Sequence, residues 1–161
     1  GDDIILSETP VCAQLADAYE KHRLPVCGVK PVPWELVYKY CSLKAEKRDD
    51  DSYLVTDMIE KPKPDEVYTN LSILGRVLMT PEIFDILEVT PPGAGGEIQL
   101  TDAMGILARR SGMTAVDFEG TRFDLGAKLG FLKANVTAAV NHPEVGEEFR
   151  EFLREFAKKL N

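Results

Sequence analysis

Apolar residues recur along the chain at the spacing of amphipathic helices and, in other segments, in the short β-branched runs typical of strands. After Thr9 and Pro10, which have the character of a helix cap and a first helical residue, apolar positions predict a helix at roughly 10–22. The same spacing predicts four later helices, in PEIFDILEV, between Ile98 and Gly112, at roughly 127–141 and at roughly 145–160. The last of them is interpreted as a terminal helix within 142–161.

Strand patterns lie between these helices. They are PVCGVKPV, CSLKA, SYLVTDMIE, NLSILGRVLM at 70–79, TAVDFEG and TRFDLG, while WELVYKY is predicted to be a short helix or turn. The charged stretch AEKRDDD at 45–51 breaks every apolar period and is interpreted as the solvated loop of a hairpin between CSLKA and SYLVTDMIE. Strands that alternate with helices favour an α/β fold. Because the hairpin requires antiparallel pairing, the sequence predicts a mixed sheet.

The composition bounds the class of protein. A chain of 161 residues with 44% apolar content suffices for one ordinary core, so a single domain over 1–161 is expected. The net charge of -8 disfavours binding to nucleic acid or to a membrane surface, because both are polyanions. Three cysteines without the spacing of a zinc motif fit a reducing compartment, and neither a membrane span nor a signal peptide is apparent, so a cytoplasmic location is expected.

Charged residues at predicted strand ends are the candidates for chemistry. Asp2 and Asp3 open the chain, Glu60-Lys61 follows the second strand of the hairpin, and Asp124 ends TRFD. In open α/β sheets ligands collect beyond the carboxyl ends of strands, so this shared placement indicates one site. Two aspartates from different strand ends suit Mg²⁺, which keeps several waters and binds one or two carboxylates together with a substrate phosphate.

Each of these residues also has a purely structural interpretation. An Asp pair in a loop is more often part of a turn or a helix cap, and Asp124 equally suits the N-cap of a helix that begins near Lys128. Glu60 and Lys61 suit an exposed ion-paired stretch. In the functional interpretation, Lys61 holds a phosphate and Glu60 accepts hydrogen bonds from hydroxyl groups. The residue patterns alone leave both interpretations open.

Four segments together carry a resemblance to a known family. GDDI, VTDMIEKPKPDEVYTNLSILGRVL, TPPGAGGEIQLTDA and FDLGAKLGF resemble the carboxyl-terminal portion of bacterial UTP-glucose-1-phosphate uridylyltransferase, from the first residue to near the last. The resemblance implies a Rossmann-like nucleotidyltransferase fold, an α/β mixed sheet with flanking helices that is truncated at its amino-terminal half. In the family, that other half carries the Gly-rich loop that grips the nucleotide triphosphate, and it would supply the strand before Gly1.

The resemblance also implies roles for individual residues. It implies Mg²⁺ as the cofactor, held by Asp2 and Asp124, with these two aspartates and Lys61 as the catalytic residues. The substrate-binding residues would be Cys41, Glu60, Lys61, Asn70, Ile73 and Lys128. One of these positions departs from the family, which usually has Gly where this chain has Cys41, so a Cβ there would crowd a sugar hydroxyl or shift the backbone. No sharp role follows for Glu97.

The implied reaction converts UTP and glucose 1-phosphate into UDP-glucose and pyrophosphate. UTP and glucose 1-phosphate are then the partners, and a homo-oligomer is expected for the full-length enzyme. Since this chain would hold only part of a nucleotide site, it is expected to be inactive alone. Two alternatives stay open, namely a non-catalytic fragment or interaction module, and a sugar nucleotidyltransferase for another base or sugar.

Overall fold

The computed structural model describes residues 3–160, apart from the side chain of Ala94. In chain order the elements are β1 (Asp3–Leu6), α1 (Val11–His22), β2 (Val26–Pro31), a 3₁₀ helix (Trp34–Lys39), β3 (Cys41–Lys47), β4 (Tyr53–Glu60), β5 (Leu71–Leu78), α2 (Glu82–Val89), a 3₁₀ turn (Ala94–Gly96), α3 (Leu100–Ser111), β6 (Met113–Asp117), β7 (Thr121–Asp124), α4 (Lys128–Val140) and α5 (Gly146–Ala157). They form two compact units, one of residues 7–120 and one that joins 3–6 to 121–160.

The larger unit is built on a mixed five-stranded sheet in the order β3-β4-β6-β2-β5. Strands β2 and β6 are parallel, and the other neighbouring pairs are antiparallel. The predicted mixed sheet is thus confirmed. Helix α3 packs on β4 and on α2, and α1 packs on β2, β5 and β6. All four residues from Val26 to Val29 are buried, which is typical of a central strand covered on both faces.

Side chains rather than a backbone ladder connect the two edge strands of this sheet, β3 and β5. Ser42, which is fully buried, donates through Oγ to the carbonyl of Thr69 at 2.8 Å. The same oxygen accepts the N–H groups of Tyr68 at 2.9 Å and Thr69 at 3.0 Å. Thr69 Oγ1 donates to the Leu43 carbonyl at 2.7 Å, and Ser72 Oγ donates to the Cys41 carbonyl at 2.6 Å. The sheet is therefore curled at this end, where edge backbone groups are satisfied by hydroxyls.

The smaller unit contains the antiparallel pair β1–β7, followed by α4 and α5. Its register places Asp3 opposite Asp124 and Leu6 opposite Thr121. The first turn of α4 approaches the end of β7 so closely that a Cβ on Gly130 would lie 2.0 Å from the carbonyl oxygen of Asp124. Only glycine fits at that position, so this contact fixes where α4 starts relative to Asp124.

Two predicted loops are wrong in extent. The segment after Asp2 was expected to be a loop at a strand end, but Asp3–Leu6 is itself a strand because β7 pairs with it. The hairpin loop was expected at 45–51, but β3 continues through Lys47, which pairs with Tyr53. The turn lies at 48–52 and is closed by a hydrogen bond from the Arg48 N–H to the Ser52 carbonyl at 2.8 Å. Alternating charged residues on an edge strand hid this part of β3 from the apolar period.

The predicted helices and their order are confirmed, with small differences at the ends. Pro10, and not Thr9, occupies the N-cap of α1. The expected terminal helix within 142–161 is narrower, since α5 runs from Gly146 to Ala157. Gly112 ends α3 as expected, with a φ of 78° that suits glycine. Over the described part of the chain, every helix is too short or too polar to cross a membrane.

Ser42→Ala is expected to destabilise the larger unit by about 1–3 kcal/mol, because the substitution removes the buried hydroxyl that accepts two backbone N–H groups and donates to a carbonyl. Urea unfolding followed by circular dichroism measures this loss. Ser111→Ala is the matched control, since Ser111 is exposed and its Oγ only contacts the Leu107 carbonyl of its own helix. Equal midpoints for the two variants would show that the Ser42 hydroxyl does not hold the sheet edges together.

Candidate functional site

The predicted site residues are distributed over both units. The larger unit contains the predicted sugar-phosphate residues Cys41, Glu60, Lys61, Asn70 and Ile73. The smaller unit contains Asp124 and Lys128. Asp2 lies outside the described residues.

In the larger unit the predicted residues surround Cys41. Glu60, the last residue of β4, lies directly opposite Cys41 in the β3–β4 ladder. The N–H of Lys61 donates to the carbonyl of Tyr40 at 2.7 Å, which ties Lys61 to the residue before Cys41. From the other side, the N–H of Ile73 donates to Cys41 Sγ at 3.2 Å. The end of β4 and the beginning of β5 therefore meet at one buried residue, although they are distant in sequence.

Lys61 has an unusual backbone for a residue with a side chain. Its φ is 47°, in the left-handed region, and the fully buried Pro62 follows it. Such a conformation costs free energy, on the order of 1–3 kcal/mol, and residues that keep it cluster at binding and active sites. The side chain of Lys61 is exposed, and that of Glu60 is half-buried.

The interpretation of Glu60-Lys61 as an ion-paired surface stretch gains no support. Among residues 3–160, neither Glu60 nor Lys61 forms an ion pair, with each other or with another side chain, whereas Lys63 nearby pairs with Glu66 at 3.7 Å. Both charges are therefore available to a ligand of the opposite polarity.

Asn70 joins the end of β2 to the beginning of β5. Its Nδ2 donates to the carbonyl of Val32 at 2.9 Å, and its own carbonyl accepts the N–H of Val32 at 2.9 Å. One N–H of the side-chain amide is thus committed to the fold. A ligand can still contact Asn70 through Oδ1 or through the second N–H of Nδ2.

The Cys41 thiol is buried and chemically quiet. Burial raises its pKa to about 12, the hydrogen bond from the Ile73 N–H opposes that rise, and the charge of Glu60 adds to it. The pKa of the Cys27 thiol is raised further, first by burial and then by the neighbouring Cys41. Since the thiolate is the reactive form, neither group is a nucleophile at neutral pH. The role of the Cys41 side chain is therefore structural, since its sulfur accepts a hydrogen bond from the Ile73 N–H.

In the smaller unit a single arginine contacts both aspartates of the β1–β7 pair. Arg122 Nε donates to Asp3 Oδ1 at 2.6 Å, and Arg122 Nη2 lies 3.5 Å from Asp124 Oδ2. Asp124 Oδ1 also accepts the N–H of Gly126 at 3.0 Å. The Asp124 carboxylate is therefore held in a turn next to a fixed positive charge.

The alternative interpretation of Asp124, as the N-cap of the following helix, is wrong. Ala127 occupies the N-cap of α4, and Lys128 is its first residue. Asp124 instead bonds the amide two residues ahead of it, a short local turn that Asp side chains often make. Lys128 is exposed at the helix start, as expected for a side chain that contacts a ligand.

The residues present fit a magnesium ion bound with the help of a substrate. The side chain of Asp124 is 32% exposed, so an oxygen ligand of the kind Mg²⁺ prefers is accessible. Within residues 3–160, no group of three His, Cys, Asp or Glu side chains is placed to hold a metal ion. Mg²⁺ does not need such a cluster, because it usually binds one or two carboxylates plus waters and phosphate oxygens.

Sequence reasoning missed two features of these sites. Arg122 stands two residues before Asp124, a spacing that puts both side chains on one face of a strand, so TRFD did contain a signal for their contact. Ser42 carried no signal, because a serine in a short strand has no pattern that indicates a three-bond junction with residues 68 and 69.

Comparisons with known proteins define the class first. No protein-family model matches the chain. Among solved structures, a UDP-glucose pyrophosphorylase complexed with UDP-glucose matches 84% of this chain and 52% of its own, with a TM-score of 0.80 and 36% identity. A UTP-bound UGPase from Acinetobacter baumannii matches 96% of this chain and 54% of its own, with a TM-score of 0.81 and 30% identity. The fold is that of a sugar nucleotidyltransferase, with a mixed, curled sheet and flanking helices.

Sequence identifies the particular family that the chain resembles. The UTP-glucose-1-phosphate uridylyltransferase of Staphylococcus epidermidis is 41% identical to this chain over 155 residues, which are 96% of this chain and 54% of the relative. The resemblance to the UTP-glucose-1-phosphate uridylyltransferase family is therefore confirmed over nearly the whole chain. The chain spans about half the length of the curated relatives it matches.

The three cysteines are expected to differ sharply in reactivity, because Cys12 is exposed whereas Cys27 and Cys41 are buried with raised pKa values. Ellman's reagent at pH 8 should modify one thiol rapidly in the native protein and all three in urea. Cys12→Ser should abolish the rapid phase. Rapid modification of a second thiol in the native protein would contradict the burial of the Cys41 junction.

Proposed function

We propose that this chain supplies the sugar-phosphate and metal side of a UTP-glucose-1-phosphate uridylyltransferase. The reaction is UTP plus glucose 1-phosphate giving UDP-glucose plus pyrophosphate, and it depends on Mg²⁺. The observation that carries the proposal is the convergence of Glu60, Lys61 and Ile73 on Cys41. The confirmed family resemblance supports it, as does the relative with 41% identity that bears this name.

The groups around Cys41 suit the two ends of a sugar phosphate. Glu60, half-buried and without an ion-pair partner in the described residues, accepts hydrogen bonds from sugar hydroxyls. Lys61 presents an ammonium group to the phosphate from a backbone that the fold holds in one conformation. Asn70 and Ile73, at the start of β5, line the sugar side.

The chemistry needs positioning and charge neutralisation rather than a nucleophilic side chain. A phosphate oxygen of glucose 1-phosphate attacks the α-phosphorus of UTP, the bond from that phosphorus to the bridging oxygen breaks, and pyrophosphate leaves. Mg²⁺, which Asp2 and Asp124 would hold, supplies positive charge to the phosphates during this transfer. Lys61 lowers the repulsion between the two anionic substrates, and Lys128 adds a cation at a helix start, where the backbone N–H groups also favour anions.

A cationic site is needed because the chain as a whole is acidic. With a net charge of -8, the field of the protein repels nucleotide and sugar phosphates. Lys61 in the larger unit and Lys128 in the smaller unit, together with a divalent cation, would offset this repulsion locally. The cytoplasm, which holds both substrates, is the proposed location.

One observation favours specificity for a sugar phosphate other than glucose 1-phosphate. Cys41 Sγ accepts the N–H of Ile73, and the side chain occupies a position that is usually Gly in the family. A sugar that differs from glucose in the hydroxyl nearest to this junction would then be preferred. Under this alternative the nucleotidyl-transfer chemistry is unchanged.

The catalytic roles are tested in a chimera that joins this chain to the remaining portion of the Staphylococcus epidermidis relative. Asp124→Asn should lower kcat by about 100-fold or more with little change in KM for glucose 1-phosphate, since it removes charge stabilisation of the transition state. Lys61→Gln should raise that KM as well, because it also removes a substrate contact. Wild-type turnover of Asp124→Asn at saturating Mg²⁺ would refute the metal assignment.

Matched controls separate site effects from general effects of charge. Asp85→Asn changes an exposed carboxylate on α2, and Lys63→Gln changes an exposed lysine two residues after Lys61. Both controls should keep kcat and KM within about twofold of the parent chimera. A loss of activity in Lys63→Gln equal to that in Lys61→Gln would assign the effect to net charge instead of to Lys61.

Substrate binding by this chain alone tests the proposal that it holds the sugar-phosphate part of the site and lacks the nucleotide part. Calorimetric titration should show binding of glucose 1-phosphate that Lys61→Gln weakens, and no micromolar binding of UTP, because the nucleotide-gripping loop of the family lies in the other half. Micromolar affinity for UTP would contradict the proposal that this chain is inactive alone for lack of a nucleotide site.

A further inference from the structure

Arg122 lies on the same face of the β1–β7 pair as two carboxylates. Asp3 and Asp124 are direct partners across the two strands, and Arg122 precedes Asp124 by two residues. Side chains two residues apart on a strand, or opposite each other in a ladder, project to one face of a sheet. Two carboxylates that face each other repel, so a cation that contacts both of them stabilises the strand pair. Arg122 is such a cation.

The guanidinium holds the two carboxylates unequally. Arg122 Nε donates to Asp3 Oδ1 at 2.6 Å, while Nη2 lies 3.5 Å from Asp124 Oδ2, beyond the usual length of a charge-assisted hydrogen bond. The side chains of Arg122 and Asp3 are 17% and 13% exposed, whereas that of Asp124 is 32% exposed. The short, mostly buried pair with Asp3 therefore anchors the arginine, and Asp124 is the more accessible of the two carboxylates.

The backbone after β7 fixes the other side of the Asp124 carboxylate. The N–H of Gly126 donates to Asp124 Oδ1 at 3.0 Å. Helix α4 packs against the carbonyl oxygen of Asp124, where a Cβ on Gly130 would lie at 2.0 Å. The carboxylate thus has little freedom to turn away from Arg122. A metal ion that binds Asp124 has to share the carboxylate with a fixed positive charge.

We propose that Arg122 is a positioning residue that weakens Mg²⁺ binding at Asp124 in the absence of substrate phosphates. The guanidinium stays charged and is anchored on Asp3, so it repels a divalent cation that approaches Asp124. Phosphates bring negative charge that the same guanidinium attracts, and this attraction offsets the repulsion. Arg122 in this way makes metal binding depend on the substrates. The inference rests on the proposed role of Asp124 as a metal ligand.

The direction of the effect separates this role from a merely structural one. If Arg122 only kept Asp124 in place, its removal would disorder the carboxylate and lower the affinity for Mg²⁺. As a competing charge, its removal raises that affinity instead. The expected change is on the order of tenfold for a unit charge within a few ångströms of a divalent ion, at the dielectric constant of water.

Nuclear magnetic resonance of the isotope-labelled chain, titrated with Mg²⁺, measures this affinity at the site itself, because the Gly126 amide donates to Asp124. Arg122→Gln should lower the dissociation constant read from this amide about tenfold, and Arg122→Lys, which keeps the charge, should stay within about threefold of wild type. The double variant Asp3→Asn/Arg122→Gln leaves no buried carboxylate without its cation, so it tests the same charge if Arg122→Gln does not fold. It should bind Mg²⁺ about tenfold more tightly than Asp3→Asn alone.

Substrate phosphates should reduce the effect of the substitution. In the chimera with the Staphylococcus epidermidis portion, at saturating UTP, Arg122→Gln should change the Mg²⁺ concentration for half-maximal activity by less than about threefold, because the guanidinium that repels the ion also attracts the phosphates. A tenfold change there would overturn the dependence on substrates.

Controls separate the role of Arg122 from the metal assignment itself. Asp124→Asn should abolish the Mg²⁺-dependent shift of the Gly126 amide. Arg154→Gln, which removes an exposed arginine of the same unit, should keep the dissociation constant within about twofold of wild type.

Unchanged or weaker Mg²⁺ binding after removal of the arginine, in Arg122→Gln and in the double variant, overturns the role of Arg122. In that case a lost shift in Asp124→Asn would still support the metal site. A shift in Asp124→Asn equal to that of wild type would overturn the metal assignment and the inference together. Circular dichroism shows which variants are folded.

Discussion

The hydrogen-bonded junction between β3 and β5 is the constraint on which the site in the larger unit depends. Ser42 binds the backbone at residues 68 and 69, and the carbonyl and thiol of Cys41 receive Ser72 and Ile73. The end of β4 pairs with Cys41 on the other side. Because these bonds are made to buried polar groups, breaking one leaves a donor or acceptor without a partner. The junction therefore holds the Glu60-Lys61 dipeptide next to the start of β5.

Much of the fold could be predicted from the sequence because its signals are local. Apolar spacing gave the helices and strands in the right order, and the proline and glycine positions gave most of their ends. The strand at Ala45–Lys47 was missed because edge strands carry charge, and β1 was missed because its partner lies more than a hundred residues away. The candidate site residues, Asp124 and Lys61 among them, come from the family resemblance, and their roles stay predictions. The junction that positions Lys61 could not be predicted, since it joins distant residues through side chains of no distinctive pattern.

The proposed substrates are anionic, and the chain is acidic, so the proposal requires local positive charges. Lys61 in the larger unit and Lys128 and Arg122 in the smaller unit are such charges. Arg122 contacts both Asp3 and Asp124, so a substitution there would alter the charge available to a metal ion without touching the substrate. On α5, by contrast, charges of both signs are paired within the helix.

The central claim is that Glu60, Lys61 and Ile73 form one binding site organised by Cys41. Nuclear magnetic resonance of the isotope-labelled chain, titrated with glucose 1-phosphate, tests it most directly. The amide signals of Lys61, Asn70 and Ile73 should shift together and give one shared dissociation constant. Shifts confined to another surface, or different dissociation constants for Lys61 and Ile73, would contradict the account.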